Sequence, residues 1–578
     1  MGLKITTITR LPDFMWTVRS LLLCSCMLLF ACGGGGGSSK RPPVNSQPIN
    51  SQPMSLVSSS NFSSAINSSA VSSSVAAFLG LGGKVTYDSV PHHESNFGLN
   101  YSATTVKPLR GLVVELLDSN NVTLAVTNTD DLGNYSFSVE PAKLVRVRVK
   151  AQALRTQPPV WNFKVTDNTN ANALYAMDGS LVAASEATAV RNLHAASGWD
   201  AIGYSQPRVA APFAILDSVL VGAERVAAVD NTLSFSPLEL RWSVNNKAAE
   251  GDLALGEIGT SFYGGSAIYI LGDENNDTDE YDQHVILHEW GHYLEKEFSR
   301  SDSIGGDHVY GDKLDMRVAM SEGFANAFSA MMLNDPNYRD ASGRQQAEGF
   351  LNDVSRKNHT VKGWYSEASV QSVLYNFYIS NNGKVARDFT DIFKVINSVG
   401  YAANAAMISI YVFAEELRNV IPGQATNFND LLFWQNIEIT NALGEGESNS
   451  GEVIGNLPIY KVLSLNNDAI NVCSTNQVGT YNKLGVAQFL VLEVTSSGMY
   501  QFNVQEVGDD SGNSDPDIYL YRNGNLIDYA EGTTVDQENL SRTLSVGTYV
   551  LELVDDRIKN IEGIDEITAC FDVRVRVN

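Results

Sequence analysis

Residues 282–298 read DQHVILHEWGHYLEKEF, a helical pattern that carries two histidines four positions apart. On an α-helix, residues four apart are offset by about 40° and one turn, so His288 and His292 project from the same face. Two neutral imidazoles at that spacing can hold one zinc ion. Glu289 lies next to that face, where its carboxylate can take a proton from a water at the metal. The segment therefore predicts a single zinc site with a general base.

A second segment, residues 320–328, reads MSEGFANAF. It closely resembles the Asn-Glu-Gly-Phe-Ala segment of zinc aminopeptidases related to alanyl aminopeptidase. It also resembles, more loosely, the glutamate-bearing helix of thermolysin-like and fungalysin-like enzymes. Together with the histidine pair, the chain is similar to gluzincin-type zinc metallopeptidases, and this resemblance implies Glu322 as the third zinc ligand. Glu322 follows His292 by 30 positions, a longer interval than in thermolysin or those aminopeptidases.

The residues around the motif separate related classes of zinc enzyme. A metzincin would continue with glycine at position 295 and histidine at position 298, and the presence of Glu295 and Phe298 excludes that class. The aminopeptidases also carry a Gly-Ala-Met-Glu-Asn signature that recognises a free amino terminus. Residues 264–268 read GGSAI and contain no acidic residue. The sequence therefore favours an endopeptidase over an aminopeptidase.

The resemblance also implies helper residues near the metal. Asn326 lies four positions after Glu322, where thermolysin-like enzymes have an aspartate that orients a zinc histidine, and an asparagine can also accept from an imidazole N–H. The alternative is a solvent-facing helix asparagine. Gluzincins stabilise the oxyanion with a tyrosine or histidine, and Tyr365 is the candidate, with His359 as the alternative. Glu295 could compete as a ligand, although we expect a solvated helix glutamate.

The acidic stretch before residue 282 resembles a calcium loop. Aspartate and asparagine alternate there as in such loops, at Asp273, Asn275, Asp277 and Asp279. Thr278 stands at the expected glycine and His284 at the expected glutamate, so the loop fits Ca²⁺ poorly. Calcium is a secondary expectation beside zinc. His284 and His308 are interpreted as structural or exposed residues.

The N-terminus has the pattern of a secretory signal, residues 1–31. Basic residues precede a mostly apolar run, residues 21–31, which is shorter than the about 20 residues that a bilayer span requires. Residues 29–32 read LFAC and resemble the bacterial lipobox, which implies lipid attachment at Cys32. The alternative is ordinary secretion, with Cys32 near the signal-peptide cleavage site. The residue after the cysteine is Gly33, as in lipoproteins that are sorted to the outer membrane. We therefore expect a lipoprotein of the bacterial cell envelope, of the outer membrane by this resemblance, or otherwise a secreted protein.

A tether and two β-rich segments surround the central part of the chain. Residues 32–81 are rich in glycine and serine and predict a flexible tether to the membrane lipid. Residues 82–165 alternate apolar and polar positions, and TDDLGNYSF at 129–137 resembles the turn-strand signature of carboxypeptidase-regulatory-like β-sandwiches. Residues 464–578 contain DPDIYLY at 515–521 and resemble the bacterial pre-peptidase C-terminal domain, a small β-sandwich that is often appended to secreted peptidases.

The intervening residues, 166–460, have a mainly helical pattern, with amphipathic helices predicted at 212–230 and 366–379. We therefore expect a multidomain protein, in which an α+β zincin-like catalytic domain is flanked by two β-sandwich domains.

Composition limits the partners of the chain. Its 578 residues include 65 acidic and 40 basic ones, a formal net charge of −25, which disfavours nucleic acid as a partner. Five cysteines exclude a disulfide-dense scaffold. Cys473 and Cys570 alone would remain in the mature globular part, and a disulfide between them is expected in an exported domain, two free thiols being the alternative.

These observations predict an exported, zinc-dependent peptidase that hydrolyses protein or peptide substrates with metal-activated water. His288, His292 and Glu322 are the expected ligands, and Glu289 is the expected base. The alternative is a non-catalytic surface-binding or adhesion lipoprotein with a structural or vestigial zinc site. The sequence does not indicate an oligomeric state.

Overall fold

The computed structural model describes residues 78–380, 387–438, 441–465, 468–508, 513–560 and 566–577. The predicted signal, the predicted lipid site Cys32 and nearly all of the predicted tether lie outside these residues. The described chain is multidomain, with several β-sheets, some of them packed as sandwiches, and a group of helices in the middle.

The N-terminal strands have the alternation that the sequence predicts. In the strand at 144–155, the valines are buried and the intervening basic residues are half-exposed, because successive side chains point to opposite faces. The strands of this part are β1 (Leu79–Ser89), β2 (Thr105–Pro108), β3 (Leu112–Asp118), β4 (Thr123–Asn128), β5 (Asn134–Val139), β6 (Leu144–Arg155), β7 (Trp161–Asp167), β8 (Ala173–Leu174), β9 (Ala176–Asp178), β10 (Val182–Ala183) and β11 (Leu193–Ala195).

The middle of the chain adds further strands and the helices. The helices are α1 (Ala211–Val229), α2 (Gln283–Phe298), α3 (Met316–Leu333), α4 (Glu367–Ile379), α5 (Thr390–Ile396), α6 (Val399–Ala402), α7 (Ile410–Val420) and α8 (Ala425–Trp434). The strands are β12 (Leu238–Trp242), β13 (Phe262–Tyr263), β14 (Ala267–Ile270), β15 (Gly272–Asp273), β16 (Asp277–Thr278), β17 (Asn337–Ser342) and β18 (Glu348–Asp353). Within the described ranges, no helix is both long and apolar enough to cross a membrane.

One sheet joins the N-terminal strands to the middle of the chain. Its main order is β13–β14–β12–β7–β6–β3–β4. Strand β7 pairs in parallel with β12, with Phe163 opposite Leu238 and Val165 opposite Leu240. The domain boundary expected between residues 165 and 166 therefore falls inside β7, and a single hydrophobic core continues across it. The smaller sheet β15–β16–β17–β18 lies beside helix α2.

Helix α3 packs against both α2 and α4, because small residues lie at the two crossings. A Cβ atom at Gly291 of α2 would lie 3.3 Å from the Cα atom of Ala325 on α3. A Cβ atom at Gly323 of α3 would lie 2.5 Å from the Cβ atom of Val370 on α4. Contacts under 3.0 Å are not tolerated, so glycine at position 323 permits the close approach of α3 and α4.

The C-terminal part is a β-sandwich. Its elements are β19 (Tyr460–Leu463), β20 (Ile470–Thr475), β21 (Gln488–Val494), β22 (Gly498–Glu506), β23 (Pro516–Arg522), β24 (Asn525–Ala530), β25 (Gln537–Leu544), β26 (Gly547–Asp555), the short helix α9 (Asp556–Asn560) and β27 (Thr568–Val577). The two sheets have the orders β19–β21–β26–β23–β24 and β20–β27–β22–β25. Cys473 lies opposite Cys570 in the β20–β27 register, and a disulfide joins them, which confirms the expected pairing.

The sandwich has its own core but is joined to the rest of the molecule. Strand β21 is buried on both faces: Leu490 and Leu492 face the sandwich core, whereas Phe489 and Val491 belong to the main core. This double burial explains the continuous apolar run in β21, because each face of the strand has a separate hydrophobic partner.

Candidate metal centre

Three side chains from α2 and α3 converge in the interior. The Nε2 atoms of His288 and His292 are 3.1 Å apart, and they lie 3.2 Å and 3.6 Å from Oε2 of Glu322. Ligand atoms about 2.0–2.1 Å from a tetrahedral zinc ion lie about 3.3–3.4 Å from one another. The three atoms therefore have the donor types and the spacing that zinc requires. His288 is 1% exposed and Glu322 is 2% exposed.

The other nitrogen of each imidazole is held by the protein. Nδ1 of His288 lies 2.9 Å from Oδ1 of Asn326, four residues after Glu322 on α3. Nδ1 of His292 lies 3.3 Å from Oε2 of Glu295, which also accepts a hydrogen bond of 2.7 Å from the hydroxyl of Ser321. Such contacts fix the ring orientation and the tautomer, and they leave Nε2 of each ring directed at the cluster.

Glu295 differs from the sequence expectation. It is 3% exposed rather than solvated, and its contact is to Nδ1 of His292, on the side of the ring away from the cluster. The reason is that α3 covers this face of α2 and brings the Ser321 hydroxyl to the carboxylate. Glu295 therefore contacts the candidate ligand His292 and is not itself part of the cluster.

Glu289 lies one position after His288 and is also buried. Its Oε2 accepts a hydrogen bond of 2.7 Å from the backbone N–H of Tyr263, at the end of β13. Its Oε1 is buried and has no hydrogen-bond partner in the protein. Buried carboxylate oxygens are nearly always satisfied, so an orphaned one next to a candidate metal cluster fits an oxygen reserved for a water or a substrate.

The charges of the cluster are set by its mutual contacts. Burial alone would raise the pKa of Glu322, but the imidazoles of His292 and His308 outweigh burial and hold the pKa well below its ordinary value. Burial alone would lower the pKa of His292, but the Glu322 carboxylate holds the pKa well above 6.5. A persistent negative charge on Glu322 is the charge that a divalent cation would neutralise.

His308 is a residue that the sequence analysis missed. Interpreted there as structural or exposed, it lies buried on the loop between α2 and α3, with Nε2 3.6 Å from Oε2 of Glu322 and 3.2 Å from Oε2 of Glu367. Burial acts to lower its pKa, but these two carboxylates raise it to about 10. No sequence spacing rule connects a histidine on a loop to a glutamate on a helix. The contact between His308 and Glu322 could therefore be found only from the path that the loop follows in the structure.

The two candidates for an oxyanion-stabilising residue have other partners. The hydroxyl of Tyr365 lies 3.0 Å from the carbonyl oxygen of Lys362 and 2.9 Å from Oδ1 of Asn449. Nδ1 of His359 lies 2.9 Å from the hydroxyl of Tyr310. The hydrogen bonds of both residues are thus made to neighbouring loops and not to the cluster.

Comparison with known proteins bears on this central region. Residues 237–418 match the Mycolysin C-terminal domain. The mycolysin match starts just before β12 and includes α2, α3 and α4, and so it includes the three candidate ligands and Glu289. It covers less than half of the chain and associates the chain with peptidases. No curated protein matches the chain.

Several solved structures match over one fifth of the chain. The pre-peptidase C-terminal domain of a collagenase from Bacillus anthracis is 12% identical, with 20% of this chain and 94% of that chain covered and a TM-score of 0.15. The lysozyme inhibitor PliG from Aeromonas hydrophila is 9% identical, with 20% of this chain and 97% of that chain covered and a TM-score of 0.14. TM-scores of this size support no conclusion about fold or function.

Proposed function

We propose that this protein is a zinc-dependent peptidase with His288, His292 and Glu322 as the metal ligands. The observation that carries the proposal is the convergence of two imidazole nitrogens and one carboxylate oxygen, 3.1–3.6 Å apart, beside the orphaned Oε1 of Glu289. The mycolysin match over the same residues supports the same activity.

The residues of the chain have distinct roles in the proposed reaction. A zinc ion held by the three ligands supplies Lewis-acid chemistry, which polarises a carbonyl and acidifies water. Glu289 takes the proton of the attacking water at Oε1 and passes it to the leaving amine. The N–H of Tyr263 holds the other carboxylate oxygen and so orients the base. His308, close to Glu322 and Glu367, holds the ligand carboxylate in place.

The proposed substrates are proteins or peptides cleaved internally, because the signature that recognises a free amino terminus is absent from the sequence. A structural zinc site needs no base, so the orphaned oxygen of Glu289 favours a catalytic site over the alternative of a surface-binding lipoprotein.

Metal analysis combined with a casein-cleavage assay tests this proposal. The purified protein should contain one zinc ion per chain, and a chelator should remove both zinc and cleavage. Glu322→Ala should lose both, because two protein ligands remain. Glu297→Ala is the matched control on α2, since its carboxylate contacts Ser236 and not the cluster. A protein that holds zinc but cleaves neither casein nor a peptide library would contradict the proposal and favour the surface-binding alternative.

We also propose that the protein is exported and anchored to the bacterial envelope through lipid on Cys32. Cys32→Ser should abolish partition into a detergent phase, because the acyl group on Cys32 is the proposed membrane attachment. The melting temperature should be unchanged, because residue 32 belongs to the predicted tether. Fractionation of cells that express the two forms measures this. Equal detergent partition of parent and variant would show that the lipid anchor is wrong.

A further inference from the structure

A second group of carboxylates lies on the segment before α2 and on strand β17. Asp277, Asp279 and Asp340 each contribute one carboxylate oxygen to a group whose atoms lie within 4.8 Å of one another. Asp277 and Asp279 are two positions apart and share one face of the chain. Asp277 pairs with Ser342 in the β16–β17 register, so Asp340 lies across from Asp279 on the same face.

One oxygen of each carboxylate in this group has no hydrogen-bond partner in the protein. Asp279 is 2% exposed, and its Oδ1 is buried without a hydrogen-bond partner, whereas its Oδ2 accepts from the hydroxyl of Ser261. The Oδ1 atoms of Asp277 and Asp340 are likewise buried and unpartnered. A satisfied structural cluster would not leave one oxygen of each of three neighbouring carboxylates without a partner.

The neighbouring charged residues do not neutralise the group. The guanidinium of Arg208 pairs with Glu280 and donates to the hydroxyl of Thr278. Asp282 adds further negative charge, although its own oxygens contact His92 and the backbone N–H of Ala341. Burial, together with these like charges, raises the pKa of all three aspartates well above its ordinary value.

We propose that Asp277, Asp279 and Asp340 form a calcium site, distinct from the zinc centre. An all-oxygen set of carboxylates is the donor set of Ca²⁺, whereas zinc sites in proteins use nitrogen and sulfur donors as well. The site differs from the alternating loop expected from the sequence, because Asp340 comes from a strand about 60 residues further along and Asp273 is not a member.

The position of the site links it to the zinc helix. Asp282, the residue before α2, binds β17 through the N–H of Ala341. Ser261, which donates to Asp279, lies two residues before Tyr263, whose N–H holds Glu289. Calcium would therefore fix the start of α2 and the segment that orients Glu289. This last consequence rests on the proposed function, whereas calcium binding does not.

Calcium binding can be tested on the full-length protein without an activity assay. Zinc-loaded protein in calcium-free buffer is titrated with CaCl₂, and bound calcium and the melting temperature are measured. Calcium at 100 times its Kd should raise the ratio of folded to unfolded protein about 100-fold. Asp340→Asn and Asp279→Asn should lose the bound ion and the increase in melting temperature. Glu348→Gln, an exposed carboxylate on the adjacent strand β18, is the matched control and should keep both.

Hydrogen exchange on the unaltered protein locates the ion if a variant fails to fold. Addition of Ca²⁺ should slow exchange in β16 and β17. The acidic residues Asp515, Asp517 and Asp555 of the C-terminal sandwich are the competing location. Slowing confined to the sandwich, equal calcium binding by the parent and by Asp340→Asn, or no binding by the parent would each overturn the proposal.

Discussion

At the scale of single residues, the candidate metal centre depends on how the imidazole rings are held. Oδ1 of Asn326 accepts a hydrogen bond from Nδ1 of His288. Nδ1 of His292 contacts Oε2 of Glu295 and the hydroxyl of Ser321, and these contacts orient the second ring. Each ring is therefore fixed before a metal arrives, and this preorganisation raises the affinity for the ion.

Replacing Asn326 by alanine should lower zinc affinity by about 10–100-fold, because the His288 ring loses the acceptor that orients it. Asn326→Asp keeps an oxygen at that position and should retain the affinity of the parent. Competition with a chromogenic chelator measures the zinc Kd of the three proteins. Equal affinity of the alanine variant and the parent would show that Asn326 does not orient the ligand.

The sequence could predict part of this site. The i, i+4 spacing is a property of any helix, so His288, Glu289 and His292 are found from the sequence alone. Glu322 required a family resemblance, because nothing local shows which turn of α3 meets α2. The contacts of His308 depend on the path of residues 299–315 between the helices, which no periodicity describes.

At the scale of elements, the close packing of α2, α3 and α4 positions the ligands. Ser366 is the N-cap of α4, and its side chain accepts a hydrogen bond from the backbone N–H of Ser369. Serine is one of the residues preferred at this position, because its oxygen satisfies a free N–H of the first helical turn. Helix α4 covers the face of α3 at Gly323, next to the candidate ligand Glu322. A shift of α4 would therefore move Glu322, the third candidate ligand.

The substitution Gly323→Ala should destabilise the protein by about 1–3 kcal/mol, because the added Cβ atom overlaps Val370 and the carbonyl oxygen of Glu367. Gly423→Ala is the matched control, since a Cβ atom there meets nothing within 4 Å. Chemical denaturation measures both free energies of unfolding. A Gly323→Ala variant as stable as the control would contradict the packing described for α3 and α4.

At this scale, the sequence predicts elements that depend on local patterns but not pairings between distant strands. The helices predicted at 212–230 and 366–379 lie within one residue of α1 and α4, because amphipathic patterns and helix-start residues are local. The parallel pairing of β7 with β12 joins strands about 70 residues apart in the sequence. Parallel strands are linked by a long crossover, so local sequence patterns do not predict this shared sheet.

At the scale of the whole molecule, the C-terminal sandwich is attached to the helix that carries Glu322. Arg317 of α3 pairs with Asp315 and with Glu552 of β26, with N–O distances of 2.8 Å, and its guanidinium lies over the ring of Phe489. All of these charged groups are buried. The sandwich is therefore joined by a buried ion pair to α3, the helix that also carries Glu322.

Arg317→Met should destabilise the protein by about 3–5 kcal/mol, because two buried carboxylates lose their cation. Arg148→Met is the matched control: it removes a partly exposed pair with Asp178 and should cost about 0–1 kcal/mol. Thermal and denaturant unfolding of both variants give the comparison. Equal losses of stability would mean that the contact between the sandwich and α3 contributes little.

The central claim is that Glu289 acts as the base of a zinc-dependent peptidase, and the Glu289→Gln variant tests it most directly. A glutamine can still accept from the N–H of Tyr263, and no metal ligand is removed, so the variant should fold and bind one zinc ion per chain. Measured with casein, its turnover should fall by about 10²–10⁴-fold, because an amide cannot take the proton of the attacking water. A Glu289→Gln protein that binds zinc and cleaves casein as fast as the parent would contradict the account.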